Sequence, residues 1–472
     1  NGDRPTAIEV YEANPGYFNL NKPYFIGQSS IIKHLGEKVK SDKTEFKFEE
    51  QKVPLKRTPL FEEHQKLASK TSIVPFAGWE MPVKYSGIKE EHMAVRQTAG
   101  LFDVSHMGIF DFQGEDACRF IDLISANYIP GVRKGQIVYS YLLDVDGVPI
   151  DDILVYGIDP YGHYMMVVNA ANADKTWEWI NAVKEKKVII DRNNPLCEVD
   201  VDVEIRNLKD PSSGKDRRVD MALQGPKSLD ILKSVIDNRD LIWKLENLKK
   251  FYFIRGEICG MDVIISRTGY TGEEVGFEMY VHPDNIVKLW NLLLERGKAF
   301  GLKPAALGAR DSTRTEAGLP LYGHELAGKF SLTPLEAGYG SFVKFHKPFF
   351  VGRSSSIKKE ETKTMEIVRF RMIARGIRMV KPGNPVVSIR GEYIGEVTSC
   401  ALGTDDHQIG LACINRKFAK EGEQIGIFIL PPKVNEKQKD KLKEGDKVIL
   451  HETGEIVSRF YVVDKCKAET AE

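Results

Sequence analysis

Between residues 56 and 345 the apolar positions switch repeatedly between two periods. Ile153-Leu-Val-Tyr156 and Tyr164-Met-Met-Val-Val168 are short apolar runs that predict strands. Residues 173–185 and 285–298 carry apolar side chains at helical spacing with charged residues opposite, which predicts amphipathic helices. Strands mixed with helices in this way predict an α+β body with antiparallel pairing. Residues 189–220 are polar, and Asp210-Pro-Ser-Ser-Gly-Lys215 is a strong turn signal, so a surface excursion is expected there.

The pattern changes between residues 362 and 466. Short β-rich runs recur between turns: Glu366-Ile-Val-Arg-Phe-Arg-Met372, Pro385-Val-Val-Ser-Ile389, Ile394-Gly-Glu-Val-Thr398, Gln424-Ile-Gly-Ile-Phe-Ile429 and Lys447-Val-Ile-Leu450. Their regular spacing predicts a small all-β barrel or sandwich. Residues 433–447 are charge-rich and read as a solvated loop, and residues 465–472 as a frayed tail.

Residues 1–55 stand apart. Lys22-Pro-Tyr-Phe-Ile-Gly-Gln-Ser-Ser30 is nearly repeated by Lys347-Pro-Phe-Phe-Val-Gly-Arg-Ser-Ser355, with Glu12-Ala13 and Glu336-Ala337 upstream and Ile32-Lys33 and Ile357-Lys358 downstream. This is one duplicated connector rather than a solenoid period. The expected organisation is an extension over 1–55 duplicating the connector 335–364, a body of two interleaved α+β subdomains over 56–345, and a β-barrel domain over 346–472. The extension reads as a surface relic before it reads as a partner-binding arm.

Composition narrows the function. Lys+Arg and Asp+Glu both number 67 in 472 residues, which argues against nucleic-acid or membrane-surface binding. The cysteines at 118, 197, 259, 400, 413 and 466 form no C-x-x-C and read as reduced and mostly packed. No apolar run reaches the roughly 18 residues that span a bilayer. The ten histidines are dispersed, so no metal site is expected. Neither a dinucleotide-binding glycine fingerprint nor a phosphate-binding P-loop is present.

The chemistry concentrates in Ser266-Arg-Thr-Gly-Tyr-Thr-Gly-Glu-Glu-Val-Gly-Phe-Glu278 and in residues 308–323, Gly-Ala-Arg-Asp-Ser-Thr-Arg-Thr-Glu-Ala-Gly-Leu-Pro-Leu-Tyr-Gly. The first sets the Tyr270 ring and the Glu278 carboxylate around a glycine-rich turn. The second puts the Arg310 guanidinium near the start of a helix. A ring, a carboxylate and an arginine suit a flat, amide-bearing heterocycle with an acidic tail.

Both segments resemble the aminomethyltransferase (T-protein) family of the glycine cleavage system. The resemblance continues through Arg57-Thr-Pro-Leu-Phe61, Pro75-Phe-Ala-Gly-Trp-Glu-Met-Pro82, Gly100-Leu-Phe-Asp-Val-Ser-His-Met-Gly108, Ile150-Asp-Asp152, Val167-Val-Asn-Ala-Ala-Asn172 and Gln224-Gly-Pro226. It implies an α+β fold of three domains packed as a ring around a folate channel, the third a β-barrel. It implies tetrahydrofolate as co-substrate and a lipoylated H-protein as the donor of an aminomethyl group. It implies Asp152 as the catalytic carboxylate beside the reactive folate nitrogens. Glu278 would accept the paired N–H groups of the pterin, and Tyr139 and Tyr270 would line the channel. Asn169 would bond the ring system, Arg310 would lie near folate and the substrate arm, and Met107 would touch the ligand channel. His106 is expected to make structural hydrogen bonds. A monomer or homodimer in the cytoplasm, or in the mitochondrial matrix of a eukaryote, completes this picture.

On residue type alone, Asp151-Asp152 would end a hairpin, Glu278 would be an exposed strand glutamate and both tyrosines would be core. The chain also departs from the family pattern. Val148-Pro149 precede Ile150-Asp-Asp152 where glycines are common, Asn127-Tyr128 replaces an Asn-Asp pair, and Cys400 ends Val397-Thr-Ser-Cys400. Two other readings use the same fold: a folate-dependent demethylase of a small N-, S- or O-methylated compound, and a non-catalytic folate-binding or iron–sulfur-assembly protein. The last usually carries a Lys-Gly-Cys-type signature near the domain junction, where this chain has Lys347-Pro-Phe-Phe-Val-Gly352.

Overall fold

The computed structural model describes residues 32–33, 43–51, 53–429, 442–443, 445–446 and 452–460. Three β-structures carry the fold. The first is a five-stranded antiparallel sheet in the order Glu204–Asn207, Gly108–Gln113, His163–Val168, Pro149–Asp159, Ile137–Leu143. The second has six strands: Phe253–Ile258, Met261–Ser266, Gly276–Val281, Val219–Gln224, Ala99–Asp103 and Leu302–Pro304. Its pairing is antiparallel except at the last strand, which runs parallel to Ala99–Asp103. The third is a closed barrel of Met365–Met372, Gln408–Asn415, Tyr393–Leu402, Pro385–Ser388, Gln424–Ile427 and Glu452–Val457. The predicted α+β class and C-terminal barrel are both present.

Each open sheet packs helices on one face. Helices Ala117–Ile124 and Ala173–Lys184 bury Phe120, Ile121, Trp179 and Ile180 against Phe110, Phe112, Ile153 and Val155 of the first sheet. Helix Pro283–Gly297 buries Ile286, Leu289, Trp290 and Leu293 against Met221, Leu223 and Met279 of the second. The remaining faces turn to each other, and Ile109, Ile137, Tyr156, Met165 and Val167 meet Ile264 and Tyr280 there. The Tyr156 and Tyr280 hydroxyls lie 2.7 Å apart across this junction. Strands covered on both faces need apolar side chains on both, which is why Tyr164–Val168 is unbroken.

The pleat of Pro149–Asp159 positions the chemistry. Alternate side chains point to opposite faces, so Ile153 and Val155 face the helices while Leu154 and Tyr156 face the second sheet. Asp151 follows the first set and Asp152 the second. The strand starts at Pro149, where its missing N–H costs nothing. The preceding turn is tied by Asp144 Oδ1, which accepts from the backbone N–H groups of Asp146 and Val148 at 2.8 and 2.9 Å.

The connector locks onto the first sheet's helix layer through Lys347, which is fully buried. Its ammonium donates to the carbonyl oxygens of Asp122, Ser125 and Asn127 around the end of helix Ala117–Ile124, and pairs with Asp122 Oδ1 at 3.0 Å. A cation suits the exposed carbonyls of a helix C-terminus. Burial still pushes the amine down to about 8.

Three sequence expectations change. The stretch 189–220 supplies the edge strand Glu204–Asn207 and buries Ile190, Cys197, Val199 and Val203 in the first core, so it is not a surface excursion throughout. Cys197-Glu-Val-Asp-Val-Asp-Val-Glu-Ile205 alternates apolar and acidic positions, a strand period masked by the polar composition of the stretch. Strands Gln408–Asn415 and Glu452–Val457 were not anticipated; the former is buried at every position and so lacks alternation. Asp151-Asp152 lie inside a strand rather than at a hairpin end. The first connector copy Lys22–Ser30, most of the loop 433–447, the run Lys447–Leu450, Cys466 and the tail 465–472 fall outside the described residues. Within the extension, Ile32–Lys33 pairs as a strand with Val199–Glu198, whereas Ile357–Lys358 sits in helix Arg353–Thr362. Of the cysteines at 118, 197, 259, 400 and 413, Cys259 is exposed rather than packed.

Candidate active site

Asp152 opposes Tyr141 across the strand pair, with Tyr139 two residues along on the same face. Tyr139 OH donates to Asp152 Oδ2 at 3.0 Å, and Asn169 Nδ2 donates to Asp152 Oδ1 at 2.8 Å. Burial raises the Asp152 pKa above its ordinary value, against these two bonds and the more distant Arg310 charge. Protein surrounds the carboxyl closely enough for that effect, yet Asp152 keeps accessible surface. Met107, Tyr139, Asn169, Tyr270, Glu278 and Arg310 are likewise neither buried nor exposed. These side chains keep some surface although they sit on the sheets and helices of the body.

The opposite wall comes from the second sheet. Glu278 pairs with Ala222 and Ser266 and points toward the first sheet. Thr268 Oγ1 donates to Glu278 Oε2, while Glu278 Oε1 accepts no hydrogen bond among the described residues. Burial raises the Glu278 pKa. The glycine-rich turn between these strands is held by Gln224. Its Nε2 donates to Thr268 O at 3.1 Å, and its Oε1 accepts from Thr271 Oγ1 at 2.8 Å. Gly269 and Gly276 pass so close to this amide that a Cβ at Gly269 would run into Gln224 Oε1. Gly272, at φ +82°, completes the bend. Tyr270 at the apex donates its hydroxyl to Pro320 O.

Arg310 lies in the first turn of helix Leu307–Ala317. Its guanidinium carbon sits 5.0 Å from the Tyr270 ring centre and forms no ion pair among the described residues. It lies near Asp152, Glu278 and His106 and influences the charge state of each. Met107 packs with Phe102, Val104, Ala222 and Ala309. Its turn is fixed by Ser105 N and Oγ donating to Asp103 Oδ1 at 2.9 and 2.6 Å, and by Lys209 Nζ donating to Ser105 O and Met107 O at 2.7 and 3.1 Å.

His106 departs from expectation. Both ring nitrogens are buried without a hydrogen-bond partner among the described residues. Burial and then the Arg310 charge lower its pKa to about 3, so the ring is neutral. It packs edge-on to Phe76 at 5.9 Å instead.

Several contributors escaped the sequence reading. Asn169 Nδ2 also donates to Asp151 Oδ1 at 2.8 Å, and Asn172 Nδ2 to the same oxygen at 2.6 Å. Tyr339 and Phe342 pack edge-on to Tyr139 at 6.3 and 4.9 Å. Arg314 is buried against Asp311, Glu325 and Ser399, behind Tyr270. These partners are far apart in sequence, and no local motif announces them. Asp151 and Asn172 did lie inside motifs already singled out.

The family model described as GCVT N-terminal domain matches residues 60–347. An aminomethyltransferase of Caldanaerobacter subterraneus subsp. tengcongensis is 42% identical over 380 residues, covering 79% of this chain and 92% of the relative. The chain belongs to the aminomethyltransferase family. Another member, from Symbiobacterium thermophilum, is 41% identical over 79% of this chain and 93% of its own length. A crystal structure of glycine cleavage system aminomethyltransferase T from Bartonella henselae superposes with a TM-score of 0.68 at 26% identity, covering 86% of this chain and 97% of that one. This family accounts for the mixed sheets and the barrel. Among the described residues no helix is long and apolar enough to cross a membrane.

Proposed function

We propose that the chain transfers the methylene of an aminomethyl group, carried on a lipoylated H-protein, to tetrahydrofolate with release of ammonia. The observation that supports this reading is the grouping of Asp152, Glu278 and Tyr270 around Arg310. Glu278 Oε1 has no hydrogen bond and Arg310 no ion pair among the described residues. A carboxylate oxygen with spare lone pairs fits the adjacent N–H donors of a pterin. A guanidinium without a carboxylate fits an acidic folate tail or the donor arm. The residues therefore suit tetrahydrofolate, which when bound supplies the nitrogens that receive the one-carbon unit.

The chain's own residues do the rest. Glu278 and Tyr270 orient the heterocycle, and Asn169 and Tyr139 hold Asp152 in one rotamer by bonding both its oxygens. Asp152 faces the positive charge that develops at the transferred carbon and accepts the proton lost as the new C–N bond forms. Burial makes it a stronger base and its charge a stronger stabiliser than either would be in water. Holding both reactants in attack geometry supplies much of the remaining acceleration.

The test is folate-dependent ammonia release from aminomethylated H-protein, with methylenetetrahydrofolate formation followed in parallel. Turnover is expected. Tetrahydrofolate binding without turnover would move the reading to demethylation of a small methylated donor.

A further inference from the structure

A charged cluster outside the set already described lies where helix Ile88–Gln97 packs against helix Leu307–Ala317. Arg96, its side chain nearly buried, is at the centre. Its Nε donates to Glu316 Oε2 at 2.8 Å. Nη1 donates to Thr271 O at 2.8 Å and to Glu273 Oε1, and Nη2 donates to Thr313 O at 3.0 Å. One guanidinium therefore bonds the backbone of two separate elements. Thr271 follows Tyr270 in the glycine-rich turn. Thr313 lies one turn beyond Arg310 in its helix, and its Oγ1 donates to Arg310 O at 3.2 Å.

The guanidinium is itself held in place. Glu316 Oε2 also bonds His92 Nε2 at 2.9 Å, and His92 Nδ1 meets Ser312 Oγ at 2.8 Å. Glu316 Oε1 accepts from Thr404 N at 2.9 Å and from Thr404 Oγ1 at 3.2 Å, in the barrel loop after strand Tyr393–Leu402. Burial opposes the Glu316 charge, but the His92 hydrogen bond and the Arg96 charge outweigh it and lower its pKa to about 2. The turn also touches the helix directly, since a Cβ at Gly272 would run into Ala317. That contact limits how near the turn can come, but van der Waals contact has no direction. The Arg96 fork supplies direction, because a planar guanidinium fixes its acceptors around one plane.

We propose that Arg96 is a positioning residue: by holding the turn at Thr271 O and the helix at Thr313 O with one fork, it sets the Tyr270 ring against the Arg310 guanidinium. Those two groups sit 5.0 Å apart. This rests on the reading that Tyr270 and Arg310 bind tetrahydrofolate. It adds that their spacing is decided by a residue whose three guanidinium nitrogens are all engaged within the protein.

The test is Arg96→Lys in the full chain. Lysine keeps the charge beside Glu273 and Glu316 but lacks the planar fork, so a role as a charge alone survives the change and a positioning role does not. Tetrahydrofolate binding is measured by calorimetry in the parent, in Arg96→Lys, in Tyr270→Leu and in the double variant. Arg96→Lys is expected to weaken binding roughly tenfold when Tyr270 is present. Once Tyr270 is leucine, the same change should cost no more than about twofold. Equal losses in the two backgrounds, or no loss in the first, overturn the proposal. The crystal structure of ligand-free Arg96→Lys gives a second measurement, in which the Tyr270 ring should shift from its place over Arg310 by about 1 Å or more. An unmoved ring overturns the proposal equally. Should Arg96→Lys fail to fold, Arg96→Met combined with Glu273→Gln and Glu316→Gln removes the fork and leaves no unpaired carboxylate inside, and the same comparisons apply. A parent protein that binds no tetrahydrofolate counts against the folate reading, and the ring position in the variant crystal still decides this one.

Discussion

Asp152 is held by two hydrogen bonds and ringed by protein, and its replacement separates binding from chemistry. Asp152→Asn keeps the size and can still accept from Tyr139 or Asn169, so tetrahydrofolate affinity should change little. Turnover should fall by about 10²- to 10⁴-fold, the usual weight of one acid–base group. The same residue sets the pH dependence. In the proposed mechanism it works ionised, and burial raises its pKa. Acidification should therefore abolish kcat/KM at a pH above the ordinary aspartate value of about 3.9, read as the acid limb of the rate profile. Glu278 has the complementary role. Glu278→Gln replaces an acceptor-only carboxylate with an amide that can meet only one pterin N–H as acceptor. A lost charge-assisted bond costs about 1.5–3 kcal/mol, so tetrahydrofolate binding measured by calorimetry should weaken roughly 10- to 100-fold.

At the scale of elements, the glycine-rich turn depends on a residue outside it. Gln224, on a neighbouring strand, holds Thr268 O and Thr271 Oγ1 and leaves no room for a side chain at Gly269. Gly269→Ala should displace the Gln224 amide and release both bonds, moving Tyr270 and Glu278 together. The expected result is a drop in tetrahydrofolate affinity at least as large as that of Glu278→Gln, with a modest loss of thermal stability. Retained affinity would show that the turn is fixed by something else. The element also marks the reach of local reasoning. Gly269, Tyr270, Gly272 and Glu278 could be read from one stretch of chain, whereas the approach of Gln224 arises from strand pairing and has no local signature.

At the scale of the whole molecule, Arg314 joins body to barrel. Its guanidinium takes Asp311 Oδ1 at 2.6 Å, Glu325 Oε2 at 2.9 Å and the barrel's Ser399 Oγ at 2.8 Å. Glu325, fully buried, also accepts from Leu321 N at 3.0 Å. This fixes the loop whose Pro320 carbonyl accepts from Tyr270. Arg314→Met would strand the Glu325 charge inside the protein, a loss of about 3–5 kcal/mol. Denaturant unfolding should register that loss, and tetrahydrofolate affinity should fall as Tyr270 loses its anchor.

Periodicity and turn residues carried the main helices, the alternation of fold class along the chain and most barrel strands, because one-sided burial leaves a repeating mark. Motif order carried the family, because glycines at tight approaches restrict residue type locally. Three things had no such mark. The strand Gln408–Asn415 is buried on both faces and therefore has no period. His106 was expected to find hydrogen-bond partners, and packing gave it a phenylalanine edge. The junction of the two sheets forms across Tyr156 and Tyr280, far apart in the chain. Asp151 and Asp152 are neighbours with the same chemistry, and the strand's pleat sends one into a cradle of amides and the other toward Glu278. A one-dimensional reading can name both aspartates, but the direction each faces follows from strand pairing and sheet packing, which are long-range contacts.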